Sequence, residues 1–247
     1  MASIKRVRFV GCEVFVRCAC AAVAESKLSV TPVFFEKNKH EKAEMLRDAI
    51  QGAIDAAEKT AGEGYDAIAI GYGLCGNGLD GIVSRSLPLV IPRAHDCCTL
   101  FLGSRAKFVE HFGDNKSAKW SSAGYMERGE GYLRATEIGK ALGLDMSKEE
   151  LIAKYGEDNA EYLLSMLNFD NVQEYIYIST NDPMDNFFLK DISEKAKTEG
   201  IPYKIIEGST RLISKLINGE WDDEFLIVPP GRRVKAVYDM EKVYIEE

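Results

Sequence analysis

Cysteine thiols and one histidine are the residues in this chain whose types and spacing suggest chemistry. Three short apolar runs end in them. The first reads Val10-Gly11-Cys12-Glu13. The second reads Gly71-Tyr72-Gly73-Leu74-Cys75-Gly76-Asn77-Gly78, and the third Pro92-Arg93-Ala94-His95-Asp96-Cys97-Cys98-Thr99. Three thiolates with one imidazole suit zinc, and three thiolates alone also hold an iron–sulfur cluster with one iron open to a ligand. The candidate metal ligands are therefore Cys12, Cys75, Cys97 and His95, for zinc or [4Fe–4S]. No C-x-x-C pair is present, so the assignment rests on position at the ends of strands. His95 also qualifies as a general acid–base, since imidazole titrates near ~6.5, with Asp96 beside it as a second catalytic candidate. A metal-free alternative makes Cys97 or Cys75 a nucleophile activated by His95.

Other polar groups lie close in sequence. Arg93 is permanently cationic and suits a carboxylate or phosphate. Two residues from His95 on an extended stretch, it points to the same side. Asn77 sits in a glycine-rich loop whose amides can turn inward toward an anion or a metal–sulfur centre. That loop has neither the lysine of a phosphate loop nor the spacing of a dinucleotide fingerprint. Tyr125, in Ser121-Ser122-Ala123-Gly124-Tyr125-Met126-Glu127-Arg128-Gly129, joins Arg93 and Asn77 as a candidate substrate contact. That segment and Val228-Pro229-Pro230-Gly231-Arg232-Arg233 either close over the site or are ordinary surface loops. Cys18 and Cys20 fall in an alanine-rich run that reads as a buried helix, because free cysteine is a common core residue. His40 and His111 stand in charged helical contexts and read as solvated.

The elements that must position these groups alternate. Arg6–Gly11, Val30–Phe35, Asp66–Gly71 and Leu87–Pro92 read as strands, the second with a proline that suits an edge. Ala43, Leu46, Ile50, Ala53, Ile54 and Ala57 recur at helical spacing and predict a helix from about His40 to Thr60. Further on, Tyr175–Ser179, Tyr203–Ile206 and Phe225–Val228 read as strands. Pro183–Thr198 and Thr210–Ile217 read as helices. This rhythm predicts an α/β fold of Rossmann-like parallel sheets flanked by helices. Two pseudo-similar lobes are expected, over 1–112 and 171–247, joined by a polar helical connector over 113–170 with a helix start capped by Ser147. In open parallel sheets ligands bind beyond the carboxyl ends of the strands, where Cys12, Cys75 and Cys97 all fall.

Composition narrows the partners. The 247 residues are 46% hydrophobic and 28% charged, with a formal net charge of −8. Basic residues are interleaved with acids, as in Glu36-Lys37-Asn38-Lys39-His40-Glu41-Lys42, which reads as a solvated surface run. Nucleic acid and anionic membranes need a concentrated basic footprint, so neither is an expected partner. No apolar signal region and no run of ~20 apolar residues is visible, so a cytoplasmic location is expected. The six cysteines are then expected to be reduced.

The motifs Cys12-Glu13-Val14, Gly71 to Gly78, Pro92 to Cys97, Thr99-Leu100-Phe101-Leu102-Gly103-Ser104 and Val228-Pro229-Pro230-Gly231 together resemble the family called domain of unknown function 1638. The resemblance spans most of the chain. It implies an anaerobe or methanogen as the source, and a link to one-carbon metabolism and corrinoid-dependent methyl transfer. Cys98 stands where that pattern leads one to expect an apolar residue. The leading expectation is a metal-dependent enzyme or accessory protein of methyl-transfer metabolism. Its partners would be a small substrate, a thiol or C1 carrier, and a corrinoid protein. The rival is a non-enzymatic carrier of a metal or cofactor for a methyltransferase.

Overall fold

Apolar, β-branched runs form the strands, and amphipathic segments cover them. The computed structural model describes residues 4–59, 64–75, 77–112, 120–129, 152–153, 156–157, 174–237 and 242–247. The chain enters through β1 (Arg6–Cys12), a 3-10 turn over Glu13–Phe15, α1 (Val16–Glu25) and β2 (Ser29–Phe35). A second 3-10 turn, Lys37–Glu41, leads to α2 (Ala43–Lys59), β3 (Ala67–Gly71) and β4 (Leu89–Pro92). Next come α3 (Cys97–Leu102), α4 (Arg105–Phe112), a two-residue β5 (Trp120–Ser121) and the short α5 (Ala123–Met126). The later elements are β6 (Tyr175–Ser179), α6 (Asp185–Glu199), β7 (Tyr203–Glu207) and α7 (Arg211–Asn218). The chain closes with β8 (Phe225–Val228), β9 (Val234–Ala236) and β10 (Tyr244–Glu246).

The main sheet has the order β2-β1-β3-β4-β8. Its first four strands are parallel, and β8 runs antiparallel against β4. The expected α/β class is the observed one. β3 and β4 are buried at every position, as strands covered on both faces must be. Pro32 falls on β2, an edge strand, where a missing N–H costs least. Leu46, Ile50, Ile54 and Ala57 form the buried face of α2. A second sheet, β5-β6-β7, is parallel throughout, and β9 pairs antiparallel with β10. Among the described residues, no helix is long and apolar enough to cross a membrane.

The division at 171 does not separate the two sheets. Both α7 and β8 come from beyond it, yet β8 hydrogen-bonds with β4 and α7 packs on α1, β3 and β4. The cause is the apolar stripe Leu212, Ile213, Leu216 and Ile217, which is fully buried against the first sheet. One core holds residues of both sheets, including Ile176, Ile178 and Ile206. Most of the expected connector, with the Ser147 cap, lies outside the described residues. The part that is described contains β5, a strand that two residues of sequence could not reveal. Cys20 departs from the core expectation: it is exposed, because the face of α1 that packs on the core carries Cys18, Ala19, Ala22 and Val23.

The second sheet meets the end of β1 at α5, where a Cβ on Gly124 would collide with the Val14 carbonyl. Gly124→Ala should therefore destabilise the protein by about 1–3 kcal/mol, the usual cost of overpacking. Gly52, on the exposed side of α2 with nothing near its Cβ position, should gain about 0.5–1 kcal/mol on mutation to alanine. Urea unfolding of both variants gives the comparison, and equal effects would contradict the packing described.

Candidate functional site

The site grows from the carboxyl edge of the parallel strands. Gly11 lies beside Gly71 in the β1–β3 register, so Cys12 emerges level with Tyr72. Beyond β3 and β4 the two chains continue to pair: Leu74 N donates to Ala94 O (2.8 Å) and Cys75 N to His95 O (3.0 Å). Gly73 permits this approach, since a Cβ there would stand 2.7 Å from the Asp96 backbone. Cys75 and Asn77 both adopt left-handed conformations, with φ of 47° and 70°. Such values are uncommon for residues other than glycine and often mark functional loops. Asp96 then caps α3, accepting hydrogen bonds from Thr99 N (3.1 Å) and Thr99 Oγ1 (3.3 Å). Cys97 opens that helix.

Cys12, Cys75 and Cys97 share one buried neighbourhood. Burial pushes the Cys12 thiol up to about 12, and Glu13 adds to the rise. Cys75 rises through burial, then through Asp96 and Cys12. Cys97 rises well above the ordinary thiol value through burial, Cys75, Asp96 and Cys12, while the Tyr125 hydroxyl opposes the rise. Cys12 thus discourages ionisation of Cys75, and both discourage that of Cys97. Tyr125 OH lies 2.9 Å from Cys97 Sγ. Its ring packs edge-on to Trp120 at 4.8 Å, and the Lys37 ammonium stands over it at 5.1 Å. Tyr72 is buried beside Cys12 and Cys75, and the Tyr244 hydroxyl lies near Cys75.

Lys37 is the residue that the sequence reading misplaced. It is 6% exposed rather than solvated, and its ammonium donates to Gly129 O. Burial lowers its pKa, opposed by Cys12, Glu13 and Cys97. Its amide donates to Glu13 Oε1 (2.8 Å). Only strand pairing reveals it: Lys37 stands two residues past β2, and β2 beside β1 brings it to the sheet edge of Cys12. Of the two later segments considered, Ser121–Gly129 reaches the thiols. Val228–Arg233 does not, because β8 is antiparallel and its end lies beside Leu89, at the opposite edge of the sheet.

The remaining candidates are placed as follows. Asp96 is a helix cap whose carboxyl is raised by burial, and His95 lowers it. His95 supplies its carbonyl to Cys75, and its Nε2 is buried. Asn77 is exposed, and its main-chain oxygen accepts from Arg47 Nη2 (3.3 Å). The Arg93 guanidinium donates to the carbonyls of Lys242 (2.7 Å) and Tyr244 (2.8 Å). Through Nη1 it ties down the C-terminal strand. Cys98 is fully buried in the core, and Cys18 Sγ donates to Phe15 O (3.3 Å). Among the described residues, no three His, Cys, Asp or Glu side chains are arranged, as they stand, to hold a metal ion.

Two outcomes follow from these contacts. The folded Cys12 thiol keeps its proton up to about 12, whereas an ordinary thiol ionises from 9.0. The folded state then binds more protons than the unfolded one, so stability falls as pH rises through this window, by at most about 1.4 kcal/mol per pH unit per thiol. Cys12→Ala should flatten that fall in urea titrations at successive pH values; an unchanged slope would refute the buried thiol. Arg93→Ala should cost about 1.5–3 kcal/mol of stability, the worth of charged hydrogen bonds to carbonyls. A calorimetric melt unchanged by that substitution would contradict the anchoring role.

None of the curated proteins and none of the solved structures matches this chain. One family model does, over residues 34–217, a span that includes Lys37, Cys75, Cys97 and Tyr125 and stops short of Cys12. That span is most of the chain, which therefore belongs to the family described as Protein of unknown function (DUF1638).

Proposed function

We propose that this chain is a metal-dependent enzyme or accessory protein of one-carbon metabolism, with a zinc ion or [4Fe–4S] cluster held by Cys12, Cys75 and Cys97. The observation behind the reading is that three thiols from three separate strand ends lie close enough for Cys12 to act electrostatically on Cys75, and both on Cys97. Ionising all three together is unfavourable without a cation, and a bound metal reverses that preference. When bound, such a centre with an open position would lower the pKa of a substrate thiol or act as a Lewis acid. His95 is the candidate fourth ligand or acid–base. Tyr125 holds Cys97 through its hydroxyl and faces an incoming substrate, which we take to be a thiol or C1 carrier. The link to corrinoid methyl transfer in the cytoplasm of an anaerobe rests on the family resemblance alone.

The metal-free nucleophile is the weaker reading. A reactive cysteine needs a depressed pKa, and burial moves these thiols the other way. A non-enzymatic carrier gains ground from one observation: Arg93, the expected substrate anchor, is occupied by backbone carbonyls.

The test is anaerobic reconstitution with zinc, and separately with iron and sulfide, followed by elemental analysis. Wild type should take up one centre per chain, and the uptake should release protons and tighten steeply with pH. Cys75→Ser should lose the centre while keeping its fold by circular dichroism. Cys20→Ser, an exposed position on α1, should lose nothing. Full metal content in the Cys75→Ser protein would end the proposal.

A further inference from the structure

A donor taken out of water without an acceptor is costly, and a charged donor more so. Two such donors stand together beyond the end of β4. The Nη1 of Arg105 is buried without a hydrogen-bond partner, and among the described residues its side chain meets no carboxylate. Tyr244 is fully buried; its hydroxyl oxygen lies 3.5 Å from the Ala94 amide, and its proton meets no acceptor among the described residues. Arg105 and Arg93 both act electrostatically on that hydroxyl. A chain of contacts makes this corner one piece. The Arg93 amide donates to Glu224 O (2.8 Å), the Glu224 carboxylate accepts from Arg211 Nη1 (2.6 Å), and Arg211 Nη2 donates to Gly103 O (2.8 Å), two residues before Arg105. Glu224 also pairs with Lys215 at 3.1 Å, so the acid of this corner is already matched by two cations.

Arg105 also stands at the wrong end of its helix. It is the first residue of α4, where the helix dipole disfavours a cation, and Ser104 Oγ already accepts the Ala106 amide (3.1 Å). The residue as a whole is half-buried, at the boundary with solvent. A guanidinium in that position, near a second one and without an acid, destabilises the free protein; an anion would offset every one of these costs. We propose that Arg105 and the Tyr244 hydroxyl form a binding site for one oxyanionic group, a carboxylate or a phosphate, of a small-molecule ligand. A charged hydrogen bond from Nη1 and a second from the phenol would fix that group, as arginine with a neutral donor does for such oxygens. The Tyr244 hydroxyl lies near Cys75, which sets the anion beside the thiols. The site stands whether or not those thiols hold a metal.

Inorganic phosphate and succinate are the probes, titrated separately by calorimetry at fixed ionic strength. Wild type should bind at least one of them saturably, and the tighter of the two tells phosphate from carboxylate. Arg105→Met should bind that probe roughly 10–100-fold more weakly, the worth of a charged hydrogen bond. Tyr244→Phe, which keeps the ring, should bind it about 10-fold more weakly. Arg85→Met, which removes an exposed arginine paired with Asp55, should change nothing; an equal loss there would reduce the effect to bulk charge and overturn the site. Melting curves without either probe separate binding from structure. Arg105→Met should melt at or above the wild-type temperature, because the substitution removes an unmatched charge, and should lose the rise that the probe gives wild type. A lower melting temperature for Arg105→Met without probe would make Arg105 a structural residue and overturn the proposal. So would wild-type binding of neither probe, or affinity unchanged in Arg105→Met. If Tyr244→Phe does not fold, the Arg105→Met titration decides.

Discussion

Parallel pairing of β1, β3 and β4 sends three chain segments out of the sheet at one edge, and the rest of the site depends on that constraint. Registered strands deliver their ends at one level, as Gly11 beside Gly71 delivers Cys12 level with Tyr72. Past the strand ends, hydrogen bonds from Leu74 and Cys75 to Ala94 and His95 keep two of the loops paired. Cys75 and the start of α3 are thereby carried toward each other by backbone geometry alone. The antiparallel β8 obeys the same logic in reverse. Its carboxyl end faces the other way, so the Pro229-Pro230-Gly231 turn lies away from the thiols and hydrogen-bonds with Ser84.

The second sheet serves the first through residues 120–129. Trp120 pairs with Ile176 in the β5–β6 ladder, which roots this strap in the second sheet. The strap then crosses to the first half of the chain. Gly124 lies against the Val14 carbonyl, Glu127 pairs with Arg17 at 2.5 Å, and Gly129 O receives Lys37. It seats Tyr125 on Cys97. An aromatic body packed on Trp120 and Phe101, with a polar tip directed at sulfur, uses both halves of the tyrosine side chain.

Buried polar groups here follow the rule that each charge needs a partner when taken from water. Arg93 satisfies two carbonyls of the C-terminal segment through its Nη1. Asp96 closes a helix end. The thiols are different: burial keeps them neutral, and they are stable in that form only while no charge is asked of them. A loop with two left-handed residues, Cys75 and Asn77, is held in this arrangement by its ladder to Ala94 and His95 and by Arg47. Backbone strain of this kind, about 1–3 kcal/mol per residue, persists where the surroundings over-determine it.

The alternation of apolar strands and amphipathic helices was legible in the sequence, because periods of two and 3.6 are local properties. So was the place of Cys12, Cys75 and Cys97 past strand ends, and the glycine-rich loop around Cys75. Three things were decided only by tertiary structure. Lys37 looks like one charge among many until β2 pairs beside β1 and brings it over the Tyr125 ring. Arg93 looks like a substrate anchor until the C-terminal strand, some 150 residues later, offers its carbonyls. The division into lobes fails because α7 buries its apolar stripe on the first sheet. Local pattern decides what each segment is; which face, edge or distant carbonyl it meets depends on strand order and direction, and those follow from burying the whole core at once.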